Sequence, residues 1–134
     1  MLNPFPSLLV LTFFAPTLLR LTAAGVFFYL AWFHSKHHSD AIDELTPILS
    51  RRMAKIILPL YILIESVVAL GLLFGFWTQV AALVGFIICI KILLIRRGLR
   101  ALVPLSSSTY VLVAVICLSL LLTGAGAYAF DLPL

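Results

Sequence analysis

Charge is scarce in this sequence: only 10% of its 134 residues are Asp, Glu, Lys or Arg, where a water-facing domain carries about a quarter. A chain that is 63% hydrophobic cannot cover its own core with so little polar surface, which excludes a soluble domain. Cysteine is equally sparse. Cys89 and Cys117 stand singly inside apolar runs, so there is no Cys-x-x-Cys pair and no framework for zinc or an iron–sulfur cluster. Both read as small buried hydrophobes. A Gly-rich nucleotide loop, a haem-ligand pair within the apolar runs, internal repeats and low-complexity tracts are also missing from the sequence, so no covalently bound cofactor and no metal site is expected.

What the sequence does have is long apolar runs. A window of about 19 residues selects 7–33, 55–77, 79–95 and 109–127, each close to the roughly 20 residues that cross a bilayer as a helix. The chain has no room for a second domain. The expectation is one transmembrane domain over residues 1–134, all-α, folded as an antiparallel four-helix bundle. No Lys or Arg precedes Arg20, and the first run is too long for a signal-peptide core, so it reads as a retained helix.

The connections refine this reading. Thr46-Pro47 reads as an N-cap followed by proline at the first helical position, so the second helix is expected to start there, ahead of its apolar run. Pro59 removes one backbone donor a turn into that run and is expected to kink it. The short stretch around Phe76, Trp77, Thr78 and Gln79 forces a helical hairpin with Thr78 as cap. Ser106, Ser107 and Ser108 are cap candidates for the last helix.

Basic residues divide unevenly between the two sides. Lys36, Arg51, Arg52 and Lys55 flank the first connection and Arg96, Arg97 and Arg100 lie in the third. All seven therefore fall on one side, which the positive-inside rule makes cytoplasmic, leaving both termini outside. The net charge of +4 then reflects topology and contact with anionic membrane lipid, and nucleic acid is not an expected partner.

Arg20, Glu65 and Lys91 are the charges within the apolar spans. An intramembrane charge costs at least about 2.5–3.5 kcal/mol on insertion scales, so each is expected to face the bundle interior and find a partner. Counting about 1.5 Å of rise per residue from the ends of the apolar runs places all three within about one helical turn of depth. Cα–Cβ bonds tilt toward a helix N-terminus, which leans Arg20 and Lys91 toward Glu65; snorkelling of Lys91 to the nearby surface is the alternative. The three are the candidate binding residues. Either Arg20–Glu65 is an ion pair that fixes register, or the cluster binds an anionic or carbonyl-bearing ligand or relays protons. Gly71 and Gly75 form a GxxxG pair on the neighbouring face of the second span, although Gly75 also fits a helix end. His34, Lys36, His37 and His38 follow the aromatic end of the first span and read as a solvated interfacial cluster rather than a metal site. Tyr29, Trp32, Phe33, Phe76 and Trp77 read as interfacial anchors.

The run IESVVALGLLFGFWTQVAAL, with Glu65, Gly71, Gly75, Thr78, Ala81 and Ala82, resembles the second-to-third-helix signature of the DoxX family of small four-helix membrane proteins. LLRLTAAGVFF, which contains Arg20, is similar to that family's first helix, and LLLTGAGAYAFD, with Gly124, Gly126 and Asp131, to its C-terminal end. The stretch after helix one departs from the family pattern, because His34-Ser35-Lys36 is followed by further histidines and a long polar connection.

The resemblance implies a four-helix integral protein of a prokaryotic plasma membrane that anchors or assists a quinone-linked redox complex, and the missing haem-ligand pair, cysteine framework and nucleotide loop make it noncatalytic by itself. Quinone is then the ligand and redox subunits are the partners. A small homo-oligomeric transporter that uses Glu65 as a proton- or cation-coupled site is the alternative from another class, and a structural scaffold is a third.

Overall fold

The computed structural model describes residues 14–95 and 102–124, together with Gly126 and Ala129. Among these residues there are five helices and no strand: α1 (Ala15–Lys36), α2 (His38–Leu45), α3 (Arg51–Phe74), α4 (Thr78–Ile95) and α5 (Ser107–Thr123). The protein is all-α. Residues 7–13 of the first apolar run, Arg96, Arg97, Arg100 and Asp131 lie outside the described residues.

α1 packs most extensively on α3 and α4 on α5, while α3–α4 and α1–α5 contacts close the ring, and the short α2 lies against α3 and α1. Small residues line the inside. Ala23, Ala24, Ala69, Ala82 and Ala114 are buried with Phe27, Leu30, Leu72, Tyr110 and Leu120, which allows the backbones to approach closely where no hydrophobic drive separates helix from lipid. Cys89 and Cys117 are free and fully buried in the same core. At Gly85 an added Cβ would come 2.9 Å from the Phe27 ring and 3.2 Å from Cys117 Sγ, so three helices meet at this position. The outer surface is apolar as well: Ile56, Leu94 and Leu122 are 70%, 78% and 79% exposed. α1, α3 and α4 are long and apolar enough to cross a membrane, and α5 is a shorter apolar helix of 17 residues.

Two helix starts are capped by serine. Ser50 accepts from Met53 N–H at 3.4 Å and Ser106 from Thr109 N–H at 3.3 Å, each from an extended backbone, as N-capping geometry requires. Thr46-Pro47, expected to open the second apolar helix, instead closes α2. Thr46 is the α2 C-cap, its hydroxyl donating to Ile42 O at 2.8 Å, and Pro47 follows as a residue that cannot continue the helix. Pro59 sits inside α3, which runs through it as one helix on a solvent- or lipid-facing position. At the far end of α3, Gly75 takes the left-handed conformation (φ +68°), and Phe76 N–H donates to Gly71 O at 3.0 Å. Gly75 therefore ends the helix, whereas Gly71 is a point of close approach, where a Cβ would lie 3.2 Å from Ala81 Cβ of α4.

Candidate functional site

The buried stripe of α1 consists of Arg20, Ala23, Ala24, Phe27, Leu30, Ala31 and His34, a helical repeat that points one face at the bundle. It has a polar residue at each end. The facing stripe of α3 includes Leu58, Glu65, Val68, Ala69 and Leu72. His34 and Glu65 are both 0% exposed and they meet, with His34 Nδ1 and Glu65 Oε2 2.8 Å apart. The other ring nitrogen, Nε2, lies 3.1 Å from the backbone carbonyl of Leu102, in the connection between α4 and α5.

That carbonyl fixes the proton positions. A carbonyl oxygen only accepts, so His34 Nε2 carries a hydrogen and donates it to Leu102 O. A single proton then lies between Nδ1 and Oε2, in an imidazolium–carboxylate pair or an imidazole–carboxylic acid pair. Both arrangements have no net charge and satisfy both ring nitrogens, which lets a glutamate lie wholly inside the bundle. Glu65 Oε1 is buried as well.

Tyr61, one turn before Glu65 on α3, adjoins the carboxyl and sets its ring edge-on to His34 with centroids 5.7 Å apart. Lys91 of α4 places its ammonium 5.1 Å from the centroid of the Tyr61 ring. Tyr61, Lys91, Leu102 and Leu58 contribute to a cleft of about 100 Å³. The polar groups at this end of the bundle thus come from α1, α3, α4 and the α4–α5 connection.

Of the three charged residues expected to converge, Glu65 and Lys91 share this end, linked through Tyr61, and Arg20 does not join them. Arg20 is 2% exposed, and its guanidinium lies against Gly75 at the opposite end of α3, where Ala129 also approaches. Helix register explains the difference. His34 and Arg20 are fourteen residues apart on α1, about 21 Å of rise, so when an antiparallel α1 pairs His34 with Glu65, Arg20 falls near the C-terminal end of α3. Depth counted from the edges of an apolar run misplaced it, because the helix continues through Lys36 rather than stopping at the last aromatic.

The histidines also separate. His34 is buried in the pair, whereas His37 is half-buried, stacked on Phe33 with centroids 4.3 Å apart. His34 was not a candidate from its local surroundings, which are polar. The signal that identifies it is its spacing from Arg20, Ala23, Ala24 and Phe27 on one helical face. Trp32 is 55% exposed with the Lys36 ammonium 5.1 Å over its ring, and Phe76 and Trp77 stack at the other end with centroids 6.0 Å apart.

The DoxX family model matches residues 15–98, which spans α1 to α4 and contains His34, Glu65, Tyr61, Lys91 and Arg20. The chain belongs to the DoxX family. It is therefore an integral membrane protein of that family, with apolar helices that contact lipid. Comparison with curated proteins and with solved structures gives no match to the chain.

Proposed function

We propose that this DoxX protein is a noncatalytic accessory or anchor subunit of a quinone-linked redox assembly, crossing the membrane four times with α1, α3, α4 and α5. The observation that carries this reading is the fully buried His34–Glu65 pair beside a cleft edged by Lys91 and Tyr61. A carboxyl and an imidazole held as a neutral pair in a lipid-embedded bundle can exchange a proton without leaving an uncompensated charge, the property needed near a quinone or proton path. Lys91 supplies a hydrogen-bond donor for a carbonyl oxygen at the cleft. Redox centres belong to partner subunits in this reading.

The orientation follows from the basic residues. Lys36, Arg51, Arg52 and Lys55 surround the end that carries His34, so this end faces the cytoplasm and both termini lie outside. Purification of the tagged protein in a gentle detergent, with native mass spectrometry and a visible spectrum of the same sample, tests the proposal. Recovery with a flavin, haem or iron–sulfur partner and bound quinone is expected. Recovery as a colourless homo-oligomer carrying only lipid contradicts it and favours a transporter or scaffold.

A further inference from the structure

Lys91 is the one charged residue of α4, whose outward residues beyond Gln79 at its start are otherwise apolar. It lies on α4, four residues before Ile95, about 6 Å of rise inside the described end of the helix. It is exposed, its ammonium lies over the ring of Tyr61, and no carboxylate among the described residues is within ion-pair distance of it. Two hollows meet at this side chain. One is the cleft between α3 and α4; the other is a groove of about 340 Å³ on the outer face of α4, lined by Phe86, Ile87, Ile90, Leu94 and Ile95. Lys91 lines this groove with its aliphatic stem, the other described residues lining it are all apolar, and the ammonium at the end of the stem lies on the cleft side, over Tyr61.

A flexible lysine whose stem edges an apolar groove and whose ammonium lies beside it, at the depth such a stem spans to reach headgroups, is complementary to an acyl chain that ends in an anionic head. We propose that Lys91 and the α4 groove form a binding site for an anionic phospholipid, the phosphate on the ammonium and one acyl chain along Ile87, Ile90 and Leu94. Charge complementarity extends beyond the site itself. Arg51 and Arg52 are exposed at the start of α3 on the same end of the bundle, and the sequence continues past Ile95 with Arg96 and Arg97, so this end attracts an anionic leaflet. The Tyr61 ring holds the ammonium in place by a cation–π contact. The proposal does not rest on the redox reading, although both call on the Lys91 ammonium, since phospholipid is present whatever complex the protein joins.

The test uses the full-length protein, delipidated in detergent and titrated with phosphatidylglycerol or phosphatidylcholine of identical chains, with bound lipid counted by native mass spectrometry. One phosphatidylglycerol is expected to be retained in preference to phosphatidylcholine. Lys91→Gln should lower that preference about fivefold, the effect of one lysine at an anionic surface, and Lys91→Arg should restore it. Lys36→Gln, at the same end but stacked on Trp32, should leave it unchanged and controls for charge in general. An equal loss in Lys36→Gln, no loss in Lys91→Gln despite unchanged elution of the folded protein, or Lys91-dependent binding of oleate but not of phosphatidylglycerol would each overturn the proposal.

Discussion

His34 Nδ1 and Glu65 Oε2 lie 2.8 Å apart, both side chains fully buried, and the opposite ring nitrogen donates to Leu102 O at 3.1 Å. One imidazole therefore ties α1 to α3 and to the α4–α5 connection. Its tautomer is set by the carbonyl, which has no proton to give.

The ring should accordingly keep a hydrogen on Nε2 whichever partner holds the shared proton. Solid-state NMR of the ¹⁵N-histidine-labelled protein in lipid should show a protonated Nε2 for His34, assigned by its loss in His34→Gln. An unprotonated Nε2 at that residue would be incompatible with the Leu102 contact.

Arg20 and Glu65 should behave as independent sites. Their side chains are placed at levels separated by about ten residues of α3, or roughly 15 Å, beyond the distance at which substitutions usually couple. The destabilisation of Arg20→Gln combined with Glu65→Gln, measured by denaturant unfolding in mixed micelles, should equal the sum of the single effects within about 0.5 kcal/mol. Coupling well above that would restore the contact that the apolar-run arithmetic predicts.

Three glycines should respond differently to alanine. Gly75→Ala combines a left-handed backbone with a Cβ driven into the Arg20 guanidinium and Ala129, and should cost upward of about 1–2 kcal/mol. Gly85→Ala meets the Phe27 ring at 2.9 Å and should cost about 1–3 kcal/mol as overpacking. Gly25→Ala meets nothing within 4 Å in a helix interior, so it should stabilise by up to about 1 kcal/mol. Thermal stability of the three variants in one detergent checks the order.

Cys89 and Cys117 are 0% exposed, so a membrane-permeant maleimide should label neither in the native protein and both after denaturation. Rapid labelling of native protein would show that the core opens at α4 and α5.

The architecture was legible because it rests on composition and period. Apolar runs near bilayer length do not depend on partners, and Ser106 could be read as a cap from local chemistry alone. The site was half legible. Glu65 stands out as an acid in an apolar run, but its partner was hidden, since His34 sits in a locally polar stretch and only helical register shows that it shares the buried face of Arg20. Thr46-Pro47 misled for a related reason: the pair suits a helix start or a helix stop, and the presence of α2 before it decided the matter. The left-handed Gly75 had two local readings as well, and the meeting with Arg20 depends on how α1 and α3 align.

The central claim is that His34 and Glu65 form one neutral buried unit. A double-mutant cycle with His34→Leu and Glu65→Leu, read as unfolding free energy in mixed micelles, tests it most directly. Each single substitution should cost about 3–5 kcal/mol by stranding its partner, and the double variant should lose much less than their sum. Additive losses would mean that the two side chains do not depend on each other, and would contradict the claim.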